Sequence, residues 1–363
     1  MEGKSILAPP EYYDGTKLLS LLDLYGNKPE VYVCTSNRSA GKTTYYRRLL
    51  IRRFLRKREK FCLLYRFSYE LDDVAEEFFK DIQGLFFSAY RMRDEKKANG
   101  VYYELFIGDI DDKDEDMQPC GYAICLNMAD QIKKRSHLMS DVDIILFDEF
   151  QSETNHYCAN ELTKFISIHT SLARGHGEQS RYLPVIMISN PVSMINPYYV
   201  YWDIGARLDN KTQFLRGDGW VLEQGYNESA ANAQSQSAFN RAFSDHKYVA
   251  YSKENVYLND SLAFIDKPAG AGKYLCTLAF EGRNYAVREF ASEGIMYCDS
   301  RADETYPIKI AVTTQDHDIN YVMLRKNDKF LSVMKYFFER GAFRFRDLQS
   351  KQALMTAISY KYE

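Results

Sequence analysis

The chain has 363 residues, enough for two domains of ordinary size, and its apolar (45%) and charged (27%) shares are those of a globular, water-soluble fold. A formal net charge of −3 excludes nucleic-acid binding through overall charge and leaves any such role to local basic clusters. Seven cysteines without a C-x-x-C pair speak for reduced thiols in a cytosolic setting, and no apolar run is long enough to span a membrane, so no membrane partner is expected.

In chain order, the opening "MEGKSILAPPEYYDG" lacks the apolar core of a secretory signal. "PEVYVCTS" predicts a strand, followed by a helix from Thr43 to about Lys60. "KFCLLYRF" predicts a second strand, and "ELDDVAEEFFKDI" a helix after it. "VYYELFIGDI" and "GYAICLNM" flank the charged turn "DDKDEDMQPCG" and read as a hairpin. "DVDIILFDEF" is a central strand ending in acids, "NELTKFISIHTSLARG" has helical spacing, and "LPVIMISN" is another buried strand. This alternation predicts an α/β fold with a mostly parallel sheet over residues 1–207. "NESAANAQSQSAFN" reads as a connector, within a linker over 208–248. Residues 249–363 form a smaller α+β domain. Its stretch "KYLCTLAFEGRNYAVREFASEGIMYCDS" predicts an antiparallel meander, and "KFLSVMKYFFERGAFRF" and "SKQALMTAISYKY" predict closing helices. The 29 tyrosines and 22 phenylalanines suit so much half-buried sheet.

Chemistry concentrates where strands end. Residues 36–43, "SNRSAGKT", follow the first strand and open a helix, as a phosphate loop requires. Ser36, Asn37, Arg38, Ser39, Ala40, Gly41, Lys42, Thr43 and Thr44 are the expected ATP-binding residues. Gly41 would let the backbone approach the phosphates, Lys42 would neutralise them, and Thr43 would offer its hydroxyl to Mg2+. Ser36 stands where the pattern has its first glycine, and a serine serves there if the backbone is not left-handed. About 100 residues on, "IILFDEF" places Asp148 at a strand tip to hold Mg2+ and Glu149 beside it to polarise the attacking water. Asn190 ends the strand expected between these two and is the candidate γ-phosphate sensor, with Ser189 in reserve. Arg174 follows a helix on an edge loop and is the candidate arginine finger acting on a neighbouring subunit.

Together "SNRSAGKT", "ILFDEF", "SLARG" and "ISNPVSMINPYY" resemble the DNA-packaging ATPases of small, protein-primed, short-tailed phages, the phi-twenty-nine-like family, over most of the chain. The resemblance implies an additional-strand, catalytic-glutamate P-loop NTPase domain followed by a domain resembling an inactive RNase H-like nuclease. It implies a homo-oligomeric ring, a pentamer, that moves double-stranded DNA through the portal of a prohead, in the host cytoplasm and transiently at the portal vertex. It also gives Arg135, in "KKRSH", a place near a neighbour's nucleotide. Whether a packaging RNA takes part stays open.

The expected first strand of the C-terminal domain, "YLCTLAF", carries no carboxylate, and Glu289 and Asp299 alone stand out nearby, so no two-metal nuclease is expected. The eight cations in "RRLLIRRFLRKREK" (47–60) are expected on a solvated helix face, with Leu49, Leu50, Phe54 and Leu55 toward the sheet. "QIKKRSH" is the better candidate for phosphate contacts along DNA. The rival readings are another P-loop DNA translocase or helicase, and a non-catalytic assembly protein with a decayed phosphate loop.

Overall fold

A computed structural model describes residues 12–153, 157–158, 160–174, 179–193, 196–202, 204–208, 212–242, 263, 265–270, 272–324 and 329–359. The chain divides into two compact units. One comprises Met1–Phe150, Cys158–Pro191 and Lys211–Asn255; the other comprises Gln151–Tyr157, Val192–Asn210 and Val256–Glu363.

The first unit is built on a nine-stranded sheet. Its strands are β1 (Val31–Ser36), β2 (Lys60–Tyr65), β3 (Tyr90–Lys97), β4 (Tyr102–Asp109), β5 (Gln118–Cys125), β6 (Val142–Asp148), β7 (Val185–Ser189), β8 (Phe214–Arg216) and β9 (Trp220–Gly225). They lie in the order β3-β4-β5-β2-β6-β7-β1-β9-β8. The central run from β5 to β9 is parallel, and β3, β4 and β8 join antiparallel at the edges. The continuous apolar runs of β2, β6 and β7 suit strands covered on both faces. The helices are α1 (Thr16–Ser20), α2 (Lys42–Lys57), α3 (Val74–Phe86), α4 (Ala129–Lys133) and α5 (Glu161–Leu172).

One face of this sheet gives Tyr32, Cys34, Leu63, Leu146 and Ile188 to a core shared with Tyr46, Leu50 and Phe54 of α2 and Phe78 of α3. Because side chains alternate along a strand, Phe147 points the other way and stacks on Phe165 of α5. Asp148 thereby returns to the face occupied by α2. Gly121 on β5 is fixed by crowding: a Cβ there would come 2.2 Å from the Phe61 carbonyl oxygen on β2.

In the second unit, α6 (Pro197–Tyr201) starts at Asn196, whose side chain accepts from the Tyr198 and Tyr199 N–H groups. A short α7 (Ile204–Arg207) follows. The six-stranded sheet contains β10 (Lys273–Phe280), β11 (Arg283–Phe290), β12 (Ile295–Asp299), β13 (Lys309–Ala311), β14 (Val322–Met323) and β15 (Phe343–Phe345), ordered β14-β13-β10-β11-β12-β15. The expected meander is β10-β11-β12, turned at Glu281 and Gly282, both with positive φ as a tight hairpin needs. β13 joins β10, and β15 joins β12, in parallel.

Among the strands that the sequence reading does not name are β3, β8, β9 and β15. β3, "YRMRDEKK", is so charged, with no residue fully buried, that it carries no apolar alternation to read. β8 and β9 lie inside the expected 208–248 linker; β9 is buried throughout and pairs with β1 from Val31↔Trp220 to Ser36↔Gly225. Only the helices behind them, α8 (Glu228–Gln236) and α9 (Ala238–Ala242), match the connector. The two units interleave along the chain, the second taking residues 151–157 and 192–210 as well as 256–363. β15 is the end of an expected helix. The helix proper, α10 (Lys329–Phe338), gives way at Gly341, with φ 61°, and "FRF" becomes a strand between buried neighbours before α11 (Leu348–Ser359). The expected junction at 248/249 lies outside the described residues.

Candidate active site

The loop from β1 to α2 is shaped by two left-handed residues, Ser39 (φ 61°) and Gly41 (φ 93°). Ser36 is the last residue of β1 and is not left-handed, so the missing glycine costs the loop no backbone strain. Gly41 caps α2 without a side-chain hydrogen bond to the first turn, which leaves that turn's N–H groups directed outward with the positive end of the helix dipole. A Cβ on Gly41 would also press on the Tyr12 ring at 3.2 Å.

The loop is braced from both sides. Tyr13 N–H donates to the Ala40 carbonyl at 2.8 Å. The Asn37 side chain exchanges hydrogen bonds with the Asn227 backbone at 3.0 and 2.9 Å. Asn37 therefore shapes the loop from a fully buried position, whereas Thr43 and Thr44 stand partly exposed at the start of α2.

Lys42 is buried, and its ammonium donates to Asn190 Oδ1 at 2.7 Å and to the Ser36 carbonyl at 3.3 Å. Burial pulls its pKa below the ordinary lysine value, and nearby Arg38 adds to this, while Asp148 and Glu149 oppose it. The strand order β6-β7-β1 explains the convergence, because Asp148 and Ser36 end, and Asn190 immediately follows, neighbouring parallel strands. Burial raises the Asp148 carboxyl above the ordinary carboxylate value, against the pull of Arg47 and Lys42. Arg47 Nη2 lies 3.6 Å from Asp148 Oδ2, and its other nitrogen donates to the Glu77 carbonyl at 2.8 Å. Arg47 thus belongs to the site. Arg48 lies buried over the Phe86 ring, so neither cation sits on the solvated face expected for this helix.

Glu149 is exposed, left-handed at φ 52°, and its N–H donates to Asp148 Oδ1 at 3.0 Å. Behind it, the Arg66 guanidinium donates to the Glu149 and Phe150 carbonyls at 3.2 and 2.7 Å. The same guanidinium grips Glu161 through Nε and Nη2 at 2.9 and 3.1 Å. A second buried network lies at β9, where Tyr13 Oη donates to Glu223 at 2.6 Å and meets Tyr46 Oη at 2.8 Å. There a cleft of about 340 Å³ opens beside the loop, lined in part by Tyr12, Tyr13, Ser36, Ala40, Glu223 and Tyr226. Sequence reasoning could not find Arg66 with Glu161, or Tyr13 with Glu223, because 95 and 210 residues separate the partners.

The two remaining arginines stand apart from this cluster. Arg174 is exposed just beyond α5, whose twelve residues carry the chain about 18 Å from Glu161. Arg135 sits on the turn after α4 with its guanidinium on the Gln131 carbonyl at 3.1 Å. In the second unit Asp299 ends β12, and both its oxygens accept from Arg288 at 2.9 Å, while the Arg301 N–H adds a third bond at 2.8 Å.

The site fits a Mg2+-bound nucleoside triphosphate by its donor set: an open helix start, a buried ammonium, a hydroxyl at Thr43 and a strand-end carboxylate. No group of three or more potential metal-ligating side chains occurs among the described residues, so a cation here would depend on the phosphates for further ligands.

The family model for the podovirus DNA encapsidation protein (Gp16) matches residues 11–360. A DNA packaging protein of Bacillus phage phi29 is 25% identical over 313 residues, covering 85% of this chain and 87% of its own. Among solved structures, the bacteriophage Phi-29 genome packaging motor assembly aligns over 93% of this chain and 95% of its own, at 21% identity and a TM-score of 0.51. The Phi-28 gp11 DNA packaging motor aligns over 96% and 98%, at 14% identity and a TM-score of 0.53. These structures share the fold.

Proposed function

The chain belongs to the podovirus DNA encapsidation protein family and is a DNA-packaging protein, and from this premise we propose that it is the motor's ATPase, driving double-stranded DNA into a prohead. The observation that carries the reading is Lys42, buried and hydrogen-bonded to the strand-end Asn190, with Asp148 one strand further along the same sheet edge. One strand, β7, separates the two motif strands, which supports the additional-strand P-loop class. The order β12-β11-β10-β13-β14, antiparallel then parallel, supports an RNase H-like second unit.

In this reading the loop N–H groups and Lys42 would hold the β- and γ-phosphates, and Thr43 and Asp148 would hold a Mg2+ ion, whose charge would offset that of the phosphates. The base end of the nucleotide leads away from Asp148 toward the cleft by Tyr12 and Tyr226. Glu149 takes the proton of the attacking water, and Asn190 exchanges its hydrogen bond with Lys42 for one to the γ-phosphate, reporting its loss. Arg174, remote from its own chain's loop, completes a neighbour's site in a ring, the pentamer expected from the family, and Arg135 faces that seam. The portal, and a packaging RNA, are the partners in this reading. The Arg288–Asp299 pair, with both carboxylate oxygens on one guanidinium nitrogen, supports a C-terminal unit without two-metal chemistry, since that carboxylate is already engaged.

The test is ATP turnover by purified protein, with and without proheads and double-stranded DNA. Turnover that rises with both supports the motor; turnover that responds to forked DNA but not to proheads points to a helicase; no turnover under any condition defeats the ATPase reading.

A further inference from the structure

We propose that Arg66 and Glu161 are positioning residues that set the backbone of Glu149 for water activation. The proposal rests on the reading of Glu149 as the general base. Glu149 holds a left-handed backbone (φ 52°) that a glutamate adopts only under constraint from its surroundings. Its own N–H is turned back onto Asp148 Oδ1 at 3.0 Å. The constraint on the carbonyl side is the Arg66 guanidinium, which donates to the carbonyls of Glu149 (3.2 Å) and Phe150 (2.7 Å), the two peptide units that fix where the Glu149 side chain leaves the chain.

Arg66 is in turn held without slack. It follows β2, next to β6 in the sheet, and is 5% exposed. The carboxylate of Glu161, 2% exposed in the first turn of α5, takes Nε and Nη2 as a fork and also accepts the Cys158 N–H at 2.8 Å. The Arg66 carbonyl accepts from the Asn127 N–H at 3.1 Å, and its ring-facing side lies over Phe147 on β6. One planar cation therefore ties β2, β6 and α5 together at the residue that follows the metal-holding acid. Only a guanidinium offers donors in that plane and number; a lysine in its place could keep the charge but not the fork.

The test combines Glu161→Gln and Arg66→Lys with Glu149→Gln. Glu161→Gln keeps an acceptor but removes the charge that fixes the fork, so it is the variant expected to fold if Arg66→Lys does not. Each is expected to lower kcat for ATP about a hundredfold, the scale of a catalytic group misplaced by about 1 Å, with KM and the affinity for a non-hydrolysable ATP analogue within twofold. Glu149→Gln with Glu161→Gln should turn over ATP no more slowly than Glu149→Gln alone, because both act through one side chain. Losses that multiply in the double variant, equal losses of affinity and kcat, or a Glu161→Gln protein with unchanged kcat would each overturn the positioning role. If Glu149→Gln itself retains near-normal turnover, the general-base reading fails first and the proposal goes with it.

Discussion

Two of the aspartates that end strands among the described residues, Asp148 and Asp299, are treated in opposite ways. Asp148, at the tip of β6, has a guanidinium no nearer than 3.6 Å, accepts one backbone N–H, and carries a carboxyl raised by burial. Asp299, at the tip of β12, has both oxygens on one Arg288 nitrogen and a third bond from the Arg301 N–H. An oxygen with spare lone pairs in a poorly solvated spot gains by meeting a cation. A carboxylate already held by a guanidinium and a backbone N–H has less to offer a cation, and serves as a pin in its fold. The first unit keeps its acid available; the second has used its acid for structure.

The largest expected effect tests whether the first unit is a working site at all. Glu149→Gln should cut ATP hydrolysis by at least about a hundredfold while an ATP analogue still binds, as measured by single-turnover kinetics beside equilibrium binding. Arg174→Ala should give a comparable loss in assembled motors and spare analogue binding by isolated protein. If dilute monomers hydrolyse ATP as fast as assemblies do, no arginine is being supplied across a subunit seam.

Next comes the direct contrast of the aspartates. Asp148→Asn should abolish Mg2+-dependent turnover with little change in melting temperature, since it removes a carboxylate that burial already disfavours. Asp299→Asn should do the reverse. It leaves Arg288 without its counter-charge in a site where Asp299 is 2% exposed, and should lower stability by about 3 kcal/mol with ATP turnover per folded molecule unchanged. Thermal unfolding alongside an ATPase assay reads both. A metal-dependent DNA-nicking activity lost with Asp299 would erase the distinction between the two units.

How far this contrast was legible in the sequence depends on chain separation. Lys42 and Thr43 lie within one loop, and Asp148 and Glu149 end one apolar run, so spacing alone pointed to them. Asn190 was reachable because it, too, ends a buried strand. Arg47 was hidden by six other cations in the same helix: composition shows a basic face, but only the fold decides which cation meets Asp148. Arg66 and Glu161 were hidden because a single arginine after a strand has no local signature. β9 was missed because its partner β1 lies far along the chain, and β3 and β8 because charged or short segments carry no alternation to announce them.

A smaller effect concerns the serine in the glycine's place. Ser36→Gly restores the usual pattern, but because Ser36 already has ordinary strand backbone, nucleotide affinity should stay within about twofold. The protein should instead lose about 0.5–1 kcal/mol from the added freedom of the unfolded chain. A tenfold gain in ATP affinity would mean that the loop is strained at Ser36 after all.

The smallest effect belongs to another strand acid, Glu223 on β9, whose partner is a tyrosine hydroxyl. Its carboxylate accepts the Tyr13 hydroxyl at 2.6 Å in a buried site, and burial raises its pKa above the ordinary glutamate value, outweighing that hydrogen bond. The folded state therefore holds this proton to a higher pH than the unfolded chain does. Between the ordinary glutamate value and the raised one, folded protein binds more protons than unfolded, so stability must fall as pH rises through that window. Glu223→Gln keeps an oxygen for Tyr13 and removes the titration. It should flatten that part of the stability–pH profile, leave the acid end nearly unchanged, and slightly raise stability at neutral pH. If the slope survives in the variant, another buried acid carries it, and Asp148, raised by the same burial but open to a cation, is the one to substitute next.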